Sequence, residues 1–365
     1  MLISIIIPAY NVEDYLRCCI DSVLTALDQS CMTEAAEILL VIGQSKDRTD
    51  FLCRYYETNY QQIRVIPQNG SGLSNARNCG LAVARGAYTV FLDGDDFVDS
   101  PSFGKMLDML GKQACEMMAF DFHMVSEDGA PLMSRRQIPD LPYPQAGEAL
   151  LRHFLGSSCS IWNVWRYVYS TEFLRKNQLT FRESRTCEDI EFTVRAFLAA
   201  GTVFFWHHPY YCYRAWRKAS LFNSPDEKHI RDFLFIVKEC KKTLDLFPST
   251  LSDRSRKLWH RPVKTKLLLW CLFQEFVLCT ALLPSLPYSQ RRTLEKEYKN
   301  DLSVFSDCFP CAVFLFGLMP VGIVSWGLQK IKNCRRKKSR DFHIRNGKEK
   351  FRQGSVFRKF LRNIK

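Results

Sequence analysis

The first 329 residues lack a net charge, which removes the simplest reading of a chain whose formal charge is +13. Residues 330–365 hold 15 Lys and Arg against 2 Asp and Glu, leaving 36 residues of each sign in the remainder. The whole excess sits in the last tenth of the chain, and the neutral body argues against a surface built to track nucleic acid. A paired cysteine framework is also missing. The 15 Cys are odd in number and scattered; Cys271 and Cys279, for example, stand in an apolar run where a thiol acts as a small hydrophobe. Cys308 and Cys311 have the spacing of half a zinc or redox site, without the other half. Free thiols on this scale point to a reducing compartment, so a cytoplasmic location is expected. The N-terminus, MLISIIIPAYN, lacks the basic start and the length of a leader peptide and reads as a buried first strand. Apolar residues are not scarce. At 47% of 365 residues they exclude a collagen-like or globally disordered chain and suffice for one large α/β domain with an appendage.

Strand and helix signals alternate through the first quarter. Leu2–Ile7 is an Ile-rich run broken only by Ser4, as expected of a strand covered on both faces. Val12–Leu27 has helical spacing, Glu37–Ile42 is a second buried strand, Asp50–Tyr60 a helix and Ile63–Pro67 a third strand. Gly70–Arg85 opens on glycines and continues as a small-residue helix, and the strand Tyr88–Leu92 runs into Asp93-Gly94-Asp95-Asp96. The alternation predicts a doubly wound, mostly parallel sheet with helices on both faces, which binds ligands at the carboxyl ends of its strands. The pattern weakens over 100–143. Ile161–Phe173 is aromatic-rich, Glu188–Ala200 is an amphipathic helix with acids in its first turn, and Thr202–Tyr213 is strand-like, leading into a basic loop, Arg214–Ser220. Residues 226–307 read as a helical region.

Residues 308–329 form an apolar segment whose first 21 residues carry no charge, long enough to span a bilayer but interrupted by Pro310, Gly317, Pro320, Gly322 and Gly327. A span, a re-entrant hairpin and a buried helical pair all fit this pattern. The basic tail follows at once, a combination that suits the anionic cytoplasmic leaflet at about 1 kcal/mol per Lys or Arg near the surface. Peripheral or monotopic attachment to an anionic membrane surface is expected, and no nucleic-acid partner.

Phe91–Asp96, FLDGDD, is the segment richest in chemistry. Three carboxylates within four positions repel one another unless a cation sits among them, and Mg²⁺ or Mn²⁺ with hard oxygen ligands fits best. A solvated acidic turn, capping a helix through Asp96 or Asp99, is the alternative. Taken with SIIIPAYNVEDYL before it, with NGSGLSNARNCGLAVARGAYTVFLDGDDFV around it and with CEDIEFTVRAFLA after it, the segment resembles the family 2 glycosyltransferases of GT-A (Rossmann-like) fold over about residues 2–225.

That resemblance implies a transferase domain over 1–225. It implies a nucleotide-diphosphate sugar donor and a glycan acceptor, lipid-linked by analogy to the family. Pro8, Ala9, Tyr10 and Asn11 would form the floor under the base, and Arg77 would reach the nucleotide. Asp93 would serve the ribose, and Asp95, with Asp96 as a second candidate, the metal. Asp189, beside Glu188, matches the general base of a single inverting displacement. Arg214, with Arg217, Lys218 and Ser220, resembles the loop over the diphosphate. His207 and His208 could assist a metal, though such a pair beside a strand is more often structural. One departure stands out. Ile42 and Gly43 occupy the places where the family commonly has two acids that contact the base, and Gln44 offers only an amide there. A non-catalytic nucleotide-sugar or glycan-binding module with a degenerate donor site is therefore the competing reading. Deleting 330–365 should weaken co-sedimentation with anionic vesicles, and undiminished sedimentation would refute an electrostatic role for the tail.

Overall fold

The computed structural model describes residues 1–135, 146–147, 162–215 and 227–246. The apolar segment, the basic tail and most of the expected helical region lie outside them. The elements in chain order are β1 (Ile3–Ala9), α1 (Glu13–Gln29), β2 (Ala36–Ile42), α2 (Thr49–Asn59), β3 (Ile63–Pro67), α3 (Leu73–Val83), β4 (Tyr88–Phe91) and β5 (Phe97–Val98). There follow α4 (Ser100–Leu110), β6 (Met117–Val125), β7 (Pro131–Arg135), β8 (Tyr167–Ser170), α5 (Thr171–Lys176), α6 (Glu188–Ala199), β9 (Val203–Arg214) and α7 (Glu227–Leu246). The strands join in one sheet of order β3-β2-β1-β4-β8-β6-β9-β5, with β7 paired to β6.

The β3-β2-β1-β4 half is parallel throughout. Beyond β4 the sheet is mixed: β8 is antiparallel to β4 and β6, while β9 runs parallel to β6. Every residue of β1 is buried because both faces are covered. Ile3, Ile5 and Ile7 pack with α1, α2 and α4 on one side, and Ile6 joins α3 and α6 on the other. Ser4 interrupts the run without cost, since its hydroxyl donates to the buried Glu37 Oε1 at 2.6 Å. Pro8 is tolerated in a central strand because the pairing with β4 stops at Ile6.

Since β1 to β4 run in the same direction, the turns after them, at 8–12, 43–48, 68–72 and 92–96, emerge along a single edge. The weakly patterned stretch after residue 100 contains α4, capped by Asp99, whose Oδ2 accepts from Ser102 N at 3.1 Å. Of the two acids that could have capped that helix, Asp99 does so, which leaves Asp96 to the site. Around Phe91 at the end of β4, edge-on rings of Phe181 and Phe192 stand at 5.1 and 6.3 Å and Tyr169 at 6.0 Å. Phe91→Ala should therefore cost about 3–5 kcal/mol of unfolding free energy, read from urea midpoints, the range for an emptied aromatic site.

Candidate active site

The turns after β1 and β2 are laced together. Asn11 adopts a left-handed conformation (φ 51°), which asparagine tolerates, and its Oδ1 accepts from Lys46 N at 2.8 Å. Val12 N donates to Thr49 Oγ1 at 2.8 Å and Glu13 N to Asp47 Oδ2 at 3.1 Å, while Arg48 N returns a bond to Glu13 Oε2 at 2.7 Å. Pro8 and Ala9 are buried beneath this lacing, and the ring of Tyr10 stands 54% exposed. Gly94 closes the turn from the other side. A Cβ there would lie 2.8 Å from Pro8 O, so the acidic turn can press onto the end of β1 only with glycine at that position.

The departure at residues 42–43 has a structural counterpart. A Cβ on Gly43 would meet Gln68 Oε1 at 2.5 Å and the Tyr10 ring at 3.3 Å, so Gln68 occupies the volume that a side chain at 43 would need. Gln68 follows β3 directly, and its Nε2 donates to Gly72 O at 2.8 Å. Gln44 is exposed. Sequence reasoning missed Gln68; its place at the carboxyl end of a parallel strand was the available signal.

Asp93, Asp95 and Asp96 each present a carboxylate oxygen within 4.8 Å of the others, and among the described residues they are the group that could hold a metal ion. Their chemistry suits a hard divalent cation. Asp93 is partly exposed, Asp95 is 9% exposed and Asp96 2%. Asp96 is fixed from β9, since Tyr211 OH donates to its Oδ2 and Arg214 N to its Oδ1, both at 2.7 Å. Burial first, then the neighbouring Asp93 charge, raises the Asp96 pKa well above the usual range despite these two donors. Tyr211 in turn stacks on Trp165, with ring centroids 4.3 Å apart. No local pattern marked Tyr211, because its role depends on the β5–β9 register, which sets Val98 opposite Tyr211.

Arg77 lies on α3 with 2% exposure. Its Nη2 donates to Asp93 Oδ1 at 2.9 Å and its Nη1 to Glu188 Oε1 at 2.7 Å, so the acidic turn and the start of α6 meet through one guanidinium. Arg77 Nε is buried without a hydrogen-bond partner. Burial would lower the Arg77 pKa, but Asp93, Glu188 and Asp189 more than offset it and raise it. Asp189, adjacent to Glu188, is half-buried. Loss of water first, then the Glu188 charge, pushes its pKa up to about 8, and the Arg77 charge acts in the opposite direction. Glu188 is likewise raised, chiefly by burial, against the pull of Arg77.

Two expected contributors are placed differently. The Arg214 guanidinium is 6% exposed and lies 4.8 Å over Phe97, with Nη1 on Glu127 O at 2.8 Å and Nη2 on Cys18 Sγ at 3.2 Å; its backbone N–H is what reaches the acidic cluster. Arg217, Lys218 and Ser220 lie outside the described residues. His207 Nδ1 stands 3.4 Å from Asp121 Oδ2, in the pairing of β9 with β6 rather than in the Asp cluster.

Known proteins share this fold. Staphylococcus aureus TarS residues 1–349, in crystal structures without ligand and with UDP-GlcNAc, superpose with TM-scores of 0.61 and 0.60 at 18% identity. The superpositions cover 85% and 77% of this chain and 81% and 76% of TarS, and they show a common GT-A fold. Residues 4–180, a little under half of the chain, match glycosyl transferase family 2. The uncharacterized glycosyltransferase EpsJ of Bacillus subtilis is 34% identical over 221 residues, covering 58% of this chain and 61% of EpsJ. The uncharacterized glycosyltransferase YibD of Escherichia coli is 30% identical over 199 residues, covering 52% and 55%. The chain thus spans little more than half the length of these relatives.

Arg77→Gln should cost about 3–5 kcal/mol near neutral pH, since it leaves buried carboxylates without their cation. A carboxylate whose folded pKa is raised destabilises the fold when ionised. The loss should therefore shrink as pH falls and Glu188 takes up a proton, and a loss independent of pH in denaturant titrations would contradict this.

Proposed function

We propose that the protein is a glycosyltransferase that moves a sugar from a nucleotide-diphosphate donor to a hydroxyl of a glycan acceptor, with inversion, at the cytoplasmic face of a membrane. The observation that carries the reading is the buried guanidinium of Arg77 bridging Asp93 and Glu188, which sets the acidic turn beside a candidate base. Tyr10 and Asn11, over buried Pro8 and Ala9, line the base side, where Gln44 and Gln68 offer amides in place of carboxylates. Amides donate as well as accept, so the base edge read here differs from one read by an acid. Asp95, with Asp93 and Asp96, would hold Mn²⁺ or Mg²⁺, which when bound offsets diphosphate charge.

In the reaction, the acceptor oxygen bonds to the anomeric carbon as the bond from that carbon to the diphosphate oxygen breaks. Asp189 takes the hydroxyl proton on its carboxylate. Glu188, held by Arg77, keeps negative charge beside Asp189 and so raises its proton affinity. Similarity to the poly(ribitol-phosphate) beta-glucosyltransferase of Bacillus spizizenii, 26% identical over 207 residues covering 56% of this chain and 30% of that protein, supports a polymer as acceptor. A lipid-linked acceptor agrees with the apolar segment and basic tail. Among the described residues no helix is long and apolar enough to cross a membrane. The apolar run and basic charge of residues 308–365 support attachment through that part of the sequence.

The second reading, a binding module without turnover, is favoured by Gly43 and Gln68 closing the place of the usual acids. A panel of nucleotide sugars with Mn²⁺ separates the two. The transferase reading expects nucleoside diphosphate release with at least one donor, and silence across the panel would favour the module. Asp189→Asn should lower transfer by about 10²–10⁴-fold while donor affinity stays near that of the wild type. Because the base works ionised, kcat/KM should fall on acidification through a group well above the ordinary aspartate pKa, as the value of about 8 implies. A profile flat to about pH 5 would overturn the assignment.

A further inference from the structure

Glu188 and Asp189 enter α6 through a segment with two non-glycine residues in the left-handed region, Ser184 (φ 62°) and Cys187 (φ 61°). Such conformations are strained for residues other than glycine and persist only where the surroundings hold them. Much of the hold comes from α7, which lies beyond the family-matched residues 4–180. Asp232 on α7 is 1% exposed. Its Oδ2 accepts from Thr186 N at 3.0 Å, from Thr186 Oγ1 at 3.4 Å and from Lys228 Nζ at 2.5 Å. Its Oδ1 accepts from Arg185 Nη1 at 2.8 Å. The Arg185 guanidinium lies 4.3 Å over Phe235, and Phe233, Ile236 and Cys240 anchor the helix in the core.

A second acid on the same helix provides an internal comparison. Glu239, 9% exposed, binds Arg182 Nη2 at 2.8 Å and Lys242 Nζ at 2.5 Å, and Arg182 Nε also reaches Glu191 at 3.3 Å. Both acids tie the segment before α6 to α7. Asp232, however, takes a backbone N–H three residues from Asp189, whereas the recorded bonds of the Glu239 carboxylate are all to side chains.

We propose that Asp232 is a positioning residue for the Glu188–Asp189 pair. By fixing the Thr186–Cys187 backbone it sets where the Asp189 carboxylate stands relative to the acceptor hydroxyl, although it lies on a separate helix and touches no reacting atom. The inference rests on the proposed role of Asp189 as base. A displacement of about 1 Å at such a group costs on the order of 10²-fold in rate.

The test compares the full-length chain with Asp232→Asn and Glu239→Gln by amide hydrogen exchange over 184–190, by melting temperature, and by kinetics with whichever nucleotide sugar the wild type turns over. Asp232→Asn should speed exchange in 184–190 by about tenfold or more, a local opening. It should lower kcat by about 10–100-fold with donor KM within about threefold, and Asp232→Glu should recover part of the loss. Glu239→Gln should lower the melting temperature comparably and leave kcat within about threefold. Unchanged exchange in Asp232→Asn overturns the proposal, as does an equal loss of kcat in Glu239→Gln. If the wild type turns over no donor, the transferase reading fails separately, and the exchange comparison alone decides whether Asp232 holds the segment.

Discussion

One guanidinium, buried in the wall of a sheet edge, holds this site together. Arg77 faces carboxylates from two distant parts of the chain, one at the end of β4 and one at the start of α6, with side-chain exposures of 24% for Asp93 and 7% for Glu188. A buried cation with two charged partners is costly to desolvate, and no apolar core of the same shape would need it. Its presence makes sense as specification: the acidic turn and the acid pair cannot separate without stranding a charge. The charges nonetheless do not balance. Asp93, Asp95, Asp96, Glu188 and Asp189 share this edge with Arg77 and Arg214, and the pKa values of Asp96, Glu188 and Asp189 are raised first by burial, with neighbouring carboxylate charge adding to it. A site in this condition has a use for a further cation.

The sheet explains why these groups meet. Parallel strands whose faces are both covered put their carboxyl ends on one edge, and the alternation in β1, with Ile3, Ile5 and Ile7 to one side and Ile6 to the other, fixes the register that places Pro8 against Gly94. The mixed half of the sheet supplies the counterpart. From β9, Tyr211 and the Arg214 backbone clamp Asp96, and the aromatic stack behind Tyr211 stiffens that clamp.

Most of the N-terminal half was legible in the sequence because each strand there is a short continuous apolar run and each helix is amphipathic. The boundaries of β3 agree to the residue and those of β1, β2 and α1 within two. The DGDD segment and the acid pair were visible as charges that demand an explanation. What escaped were relations between distant residues. The Arg77–Glu188 bond spans 111 positions, Tyr211 reaches Asp96 across 115, and Gln68 fills the space beside Gly43 only because β2 and β3 pair in register. Arg214 shows the converse. The family resemblance implied a side chain over the diphosphate, and in this structure the guanidinium packs on Phe97 and Tyr15 while the backbone N–H faces the cluster.

The central claim is that the uncompensated carboxylates at this edge take up a divalent cation together with a nucleoside diphosphate. Electron paramagnetic resonance of Mn²⁺ reads this directly, since bound ion loses the sharp signal of the free one. The account predicts that the wild-type protein depletes the free signal, that added nucleoside diphosphate deepens the depletion, and that Asp95→Asn largely abolishes it. An undiminished free-ion signal with the wild type, with and without a panel of nucleoside diphosphates, would contradict it.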